Sequence, residues 1–244
     1  MTWFATPSSL LAPRFLRTLA AASLTIGLAA CSTNPTTGRS QLNMLSREDE
    51  IRMGVDSKPE MLTEYGGEVP NADARAYVTN LGKQLAAFTE GDNPSLPWEF
   101  SLLNGDVINA FALPGGKVFV SKGLAIKMTN EAQMAGVLGH EIGHVTARHI
   151  NERVTRQAGA SVGITVLSAV IGGGGDAISG LAGQAVQVTL LSFDRDQENE
   201  ADSLGMRYMV KAFYNPIGQW RVMEILKKEG GPPNQPEFLS THPI

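Results

Sequence analysis

The sequence predicts an α+β domain, mostly α, with a small antiparallel sheet packed beside one central helix. Three observations predict it. Aromatic residues make up only 7% of the 244-residue chain, and plentiful glycine and alanine favour close-packed helices over a β-sandwich. Apolar residues recur at helical spacing along much of the chain. Three short segments with strand character fall together between Trp98 and Val120. With 43% apolar and 18% charged residues, the chain can build a packed core and is not disordered by composition.

Ser46 offers an N-cap with Asp49 three positions on, which opens a helix toward Tyr65. Asn71 to Thr89 places Ala74, Val78, Leu81, Leu85 and Phe88 on one helical face, and Gly91-Asp92-Asn93-Pro94 breaks it. Trp98 to Leu103 alternates, Val107 to Leu113 is apolar, and Lys117 to Val120 is β-branched or aromatic at its centre. Pro114-Gly115-Gly116 forms the turn between the last two. Asn130 starts the central helix, with Gln133 placed for a capping box and Met134, Val137 and Leu138 facing inward. Residues 158–191 are small, apolar and almost uncharged, and are broken by Gly172 to Gly175. They read as a buried helical hairpin or, alternatively, as a lid over the site or against a membrane surface. Helical patterns return at Asp196 to Val210 and Pro216 to Lys228, followed by a loop.

Residues 1–30 stand apart from the fold. Arg14 and Arg17 precede an apolar run from Thr18 to Ala30, the order of a signal peptide and too short to span a bilayer easily. The run ends in Leu28-Ala29-Ala30-Cys31, whose cysteine is the only one in the chain and can form no internal disulfide. Cys31 is either incidental to an ordinary signal peptide or part of a bacterial lipobox, which the segment resembles. The second reading is favoured because the positive region, the apolar run and the cysteine agree in order and spacing. It implies lipidation at Cys31 and a periplasmic protein, with Ser32 in place of Asp pointing to the outer membrane. Residues 31–45, rich in Ser, Thr, Asn, Pro and Gly, read as a tether, and 46–244 as the domain. Without residues 1–30 the chain has 18 basic against 24 acidic side chains, so nothing suggests a nucleic-acid partner.

The chemistry centres on His140-Glu141-Ile142-Gly143-His144. Four residues are about one helical turn, so both imidazoles project from one face and can converge on one ion. This H-E-x-x-H pattern binds zinc through its histidines and leaves Glu141 able to reach a metal-bound water. One ion per chain needs one more protein ligand. His149, five residues after His144, is rotated about 140° off the ligand face of a continuous helix, and reads as a surface or packing residue. Glu198 and Asp202, spaced i, i+4 in Glu198-Asn199-Glu200-Ala201-Asp202, offer a carboxylate for the metal and another to accept a histidine N–H. Glu200 turns away if Glu198 faces in.

Four segments then carry a resemblance over roughly Arg47 to Ile244: Asn109 to Gly116, Leu138 to His144, Arg195 to Gly205, and Ser240-Thr241-His242-Pro243. In this order they resemble the gluzincin metallopeptidases of the HtpX-like and CaaX-prenyl-protease type, most closely their soluble periplasmic lipoprotein members. The resemblance implies a zincin-like fold and zinc held by His140, His144 and Glu198. It also implies Glu141 as general base and Asp202 behind the ligands. It makes Asn109, Ala110, Phe111 and Ala112 a substrate-binding edge strand and puts His242 near the metal, as oxyanion stabiliser or inhibitory fourth ligand. The implied activity is zinc-dependent endopeptidase action on unfolded or misfolded envelope polypeptides. The rival is a chaperone-like or binding lipoprotein whose zinc is structural.

Overall fold

The computed structural model describes residues 31–161, 192–229 and 236–242. The expected signal peptide, and the 158–191 segment from residue 162 onward, lie outside the described residues.

A three-stranded sheet sits at the centre: β3 (Glu99–Leu103), β4 (Ala110–Leu113) and β5 (Lys117–Ser121), in the order β3-β5-β4. The Pro114–Gly116 turn makes β4 and β5 antiparallel, with Ala110 opposite Val120 and Leu113 opposite Lys117. At this turn Gly115 (φ 73°) and Gly116 (φ 90°) take left-handed conformations, and a Cβ on Gly115 would lie 2.4 Å from Ile51 Cα. β3 lies on the far side of β5 and runs parallel to it. The sheet is therefore mixed, not antiparallel throughout. Period-2 alternation is the same in both pairings, so the sequence pattern does not distinguish them.

Helices cover both faces. Helix α1 (Arg47–Glu64) follows the Ser46–Asp49 capping box, and α2 (Ala72–Ala86) is capped by Asn71. A short α3 (Lys122–Ala125) leads to α4 (Glu131–Thr146), whose N-cap Asn130 accepts the N–H of Gln133. Gln133 does not close the box on Asn130; its Oε1 accepts from Thr129 N at 2.6 Å. After α5 (His149–Ser161) come α6 (Arg195–Lys211), α7 (Ile217–Glu229) and the short α8 (Glu237–Thr241). One face of the sheet, with Ala110, Ala112, Val118 and Val120, shares its apolar cluster with Leu138 and Ile142 of α4. The other face, with Phe111, Leu113 and Phe119, packs on Met61 and Tyr65 at the end of α1. Burial on both faces explains why every position of β4 and β5 is buried.

Residues 31–45, expected as a tether, are instead a docked hairpin. β1 (Cys31–Thr33) pairs antiparallel with β2 (Ser40–Leu42). Asn34 Nδ2 donates to Thr146 O at 3.0 Å and Gln41 Nε2 to Ala147 O at 2.6 Å. These acceptors are among the last carbonyls of α4, which a helix leaves without intrahelical partners. Polar composition marks both a free linker and a segment that caps a helix end. Among the described residues no helix is long and apolar enough to cross a membrane.

Candidate metal centre

Helices α4 and α6 carry the site, and small residues let them meet at backbone contact. A Cβ on Gly143 would lie 2.6 Å from Ala201 O, and one on Gly205 would lie 2.8 Å from His140 N. Gly139 and Gly143 thus face Ala201 and Gly205, both pairs spaced i, i+4. This seam sets how closely the imidazoles of α4 approach the carboxylates of α6. Helix α6 starts where it does because Asp194 caps it in a box with Gln197.

One donor atom from each of His140, His144, Glu198 and His242 falls within 4.8 Å of the others, and all four residues are buried. His144 Nε2 is 3.0 Å from His140 Nε2, which is 3.1 Å from His242 Nδ1. Glu198 Oε1 is 3.1 Å from His242 Nδ1 and 3.4 Å from His144 Nε2, and Glu198 Oε2 is 3.5 Å from His140 Nε2. Three imidazole nitrogens and a carboxylate meeting in a buried place form a donor set that a cation satisfies. Glu141 is buried beside them, its Oε1 3.5 Å from His242 Nε2 and without a hydrogen-bond partner. That orphaned oxygen fits a site whose further occupant carries a hydrogen-bond donor.

Asp202 lies behind the cluster, where its Oδ1 takes the Nδ1 of His140 at 2.7 Å and a hydrogen bond from Gln219 Nε2 at 2.6 Å. Burial works against charging His140, but Asp202 and Glu198 outweigh it and hold its pKa well above the ordinary value. His144 goes the other way: burial outweighs the hydrogen bond to Glu198, and with His140 and His149 alongside it holds the pKa well below. Burial also raises Glu141. Glu198 is depressed despite its burial, because three histidines surround it.

His149 is neither a surface residue nor a member of the four-donor cluster. It is fully buried, with its Nδ1 2.9 Å from His144 Nδ1. The 140° rotation assumes a continuous helix, and the helix is not continuous. Arg148 adopts φ 60° between α4 and α5, which swings His149 back against His144. Glu200 does turn away from the cluster, and there it meets His149 Nε2 at 2.9 Å.

Of the Asn109–Ala112 segment, Ala110 to Ala112 lie in the outer strand β4, beside α4, and Asn109 immediately precedes it. Asn109 Nδ2 donates to Glu237 Oε1 at 2.8 Å, as does the Tyr65 hydroxyl at 2.7 Å. Phe238 N donates to Ile108 O at 3.1 Å. These bonds dock α8, and with it His242. Sequence reasoning does not find this clasp, nor Phe193, whose ring stacks 3.9 Å from that of His144. Neither has a local pattern; both are assembled from distant parts of the chain. Cys31 opens β1.

A helix-borne H-E-x-x-H pair facing a glutamate on a second helix, beside a small sheet, defines a metallopeptidase of the zincin kind. The family is found directly: residues 72–244 match the model of peptidase family M48, and the chain belongs to that family. It is 31% identical over 214 residues to "Mitochondrial metalloendopeptidase OMA1" of Schizosaccharomyces pombe, covering 86% of this chain and 61% of that protein. It is also 31% identical over 239 residues to "Beta-barrel assembly-enhancing protease" of Escherichia coli, covering 91% of this chain and 48% of that one. The chain thus spans between about half and two thirds of these relatives' lengths.

Proposed function

We propose that this chain is a zinc-dependent endopeptidase of the bacterial cell envelope, with zinc on His140, His144 and Glu198. The observation that carries the proposal is the buried convergence of these donors beside Glu141, whose Oε1 has no hydrogen-bond partner. Ligands about 2.0–2.1 Å from a tetrahedral zinc stand about 3.3–3.4 Å apart. Five of the six donor pairs stand 3.0–3.5 Å apart, which supports that metal. When bound, zinc supplies a water of pKa about 7 and polarises the scissile carbonyl. Glu141 takes the proton from the attacking water and delivers it to the leaving amine. Its raised pKa suits a group that must both accept and return a proton. Asp202 fixes the ring of His140 so that Nε2 faces the cluster.

His242 stands in the fourth donor position, and the distances favour the inhibitory-ligand reading over oxyanion stabilisation. In this arrangement the enzyme is latent. The contacts that dock α8 also lie at the start of β4, where an extended substrate adds a strand along Asn109–Ala112. Displacing α8 would therefore free the fourth position and the strand edge together. The substrates are unfolded or misfolded envelope polypeptides, and lipidation of Cys31 holds the enzyme at the outer membrane. The bacterial relative's name, a protease that enhances β-barrel assembly, supports that setting.

A structural zinc in a chaperone-like protein closes its four positions with ligands and has no use for a buried carboxylate beside them whose Oε1 has no hydrogen bond. Glu141→Gln separates the two readings. In wild type and in a His242→Ala background, the variant should keep one zinc per chain and lose cleavage of casein by about 10²-fold or more. Cleavage at an undiminished rate would defeat the mechanism.

A further inference from the structure

All four histidines of the chain gather at one place, yet the metal centre uses only three. The fourth, His149, is buried as completely as the others, and both its nitrogens are engaged. Its protonation follows from its partners. Glu200 Oε2, 2.9 Å from His149 Nε2, also accepts from Arg39 Nη2 at 3.1 Å, so it is an ionised acceptor and Nε2 must carry a hydrogen. A neutral imidazole with Nε2–H has a lone pair on Nδ1. That lone pair faces His144 Nδ1 at 2.9 Å, so the hydrogen between the rings belongs to His144. The Nε2 of His144 is then left with its lone pair pointing into the donor cluster.

We propose that His149 is a positioning residue for the metal site: it accepts the Nδ1–H of His144 and thereby fixes which nitrogen of that ring is offered to the metal. The two histidines of the motif are thus supported differently. His140 donates to the carboxylate of Asp202, and His144 donates to an imidazole. The support of His149 comes in turn from the N-terminal hairpin. Arg39 grips Glu152 with two hydrogen bonds of 3.0 and 2.9 Å while its Nη2 also reaches Glu200. Glu152 accepts from Gln197 Nε2 at 3.2 Å, at the start of the helix that carries Glu198. A residue eight positions after Cys31 is therefore three hydrogen bonds from a metal ligand. The backbone break at Arg148 is what allows the arrangement, since it returns His149 to the ligand face.

The inference rests on the zinc-peptidase reading, and the experiment separates the two. Zinc affinity is measured by chelator competition on the wild-type chain and on His149→Leu, His149→Asn and Glu200→Ala. The absorption spectrum of the cobalt-loaded protein and the thermal midpoint of the metal-free protein accompany each. His149→Leu removes the acceptor and should weaken zinc binding by about 10–100-fold and shift the cobalt bands. His149→Asn places an amide oxygen near the former Nδ1 and should recover most of the affinity, a rescue that a packing role alone does not produce. Glu200→Ala frees the His149 ring to change tautomer and should fall at the low end of the same range, about tenfold. Wild-type-like zinc affinity in folded His149→Leu would overturn the inference and leave the metal centre standing. If His149→Leu does not fold, unchanged affinity in Glu200→Ala overturns it instead. A wild-type chain that binds no zinc would bring down the functional reading itself.

Discussion

Replacing Gly143 by alanine tests whether the glycine seam sets the metal site. The new Cβ would stand 2.6 Å from Ala201 O and 2.9 Å from Ala201 Cα, both backbone atoms of a packed helix. Carbon atoms in contact sit about 3.5–4.0 Å apart, so α4 and α6 must separate by roughly 0.7 Å or more. Overpacking of this kind costs about 1–3 kcal/mol, and alanine's better helix propensity returns about 1 kcal/mol. The net loss, up to about 2 kcal/mol, lowers the melting temperature by at most about 8 °C for a domain of this size. The effect on metal binding should be larger than stability alone predicts. Coordination tolerates deviations of about 0.2 Å, and the same separation draws Glu198 away from His140 and His144. Gly139→Ala is the control: its Cβ meets Gly205 O at 3.1 Å, a contact relieved by a shift of a few tenths of an ångström. There the propensity gain and the crowding roughly cancel. Differential scanning calorimetry of the metal-free proteins and chelator competition read both quantities. Equal melting temperatures and equal metal affinities for the two variants would refute the idea that close backbone approach at Gly143 holds the ligands together.

His242→Ala should raise the rate of casein cleavage, because it vacates the fourth donor position; a fall in rate would instead favour oxyanion stabilisation. Asp202→Ala should weaken metal binding by about 10–100-fold in a chelator titration, since His140 loses the acceptor of its N–H. Glu152 is held down to about 2, from an ordinary 4.5, because Arg39 and Arg156 outweigh its burial. Its contribution is therefore fully present above pH 4.5 and is lost as pH falls toward 2. Acid denaturation of Glu152→Gln should accordingly show a flatter stability profile between those limits, and an unchanged profile would deny the clamp its role. Metal excess of 100 times the dissociation constant should stabilise the wild-type fold by about 2.7 kcal/mol over the chelated form, and Glu198→Ala should lose most of that increment.

Much of the fold is legible because it rests on local chemistry. Ser46 with Asp49, Asn71 and Asn130 announce helix starts, and the structure caps helices at all three. Pro114-Gly115-Gly116 announces a hairpin that needs two left-handed residues. What is not legible depends on partners far away in sequence. The side of β5 on which β3 lies is decided by tertiary packing, not by the alternation within β3. The hairpin at 31–45 has the composition of a linker, and only the open carbonyls at the end of α4, more than a hundred residues on, give Asn34 and Gln41 something to bind.

The candidate site divides along the same line, and His149 shows where the division falls. His140, Glu141 and His144 can be placed from sequence because one turn of helix fixes their geometry whatever surrounds it. Glu198 and Asp202 share a face for the same reason, and an incomplete metal site supplies the demand that links them to α4. Helical arithmetic fails for His149 because α4 ends at its C-cap, Ala147, before that residue is reached. A single left-handed residue, Arg148, turns a 140° divergence into a 2.9 Å contact. Nothing in the side-chain pattern reports that break. Arg148 is not a glycine, and its conformation is held from outside: its Nε donates to Glu50 at 2.9 Å and its Nη2 to Leu45 O at 2.8 Å. The donors His140, His144 and Glu198 are thus written into two helices, while the contact of His149 with His144 depends on a backbone turn secured by the N-terminal part of the chain.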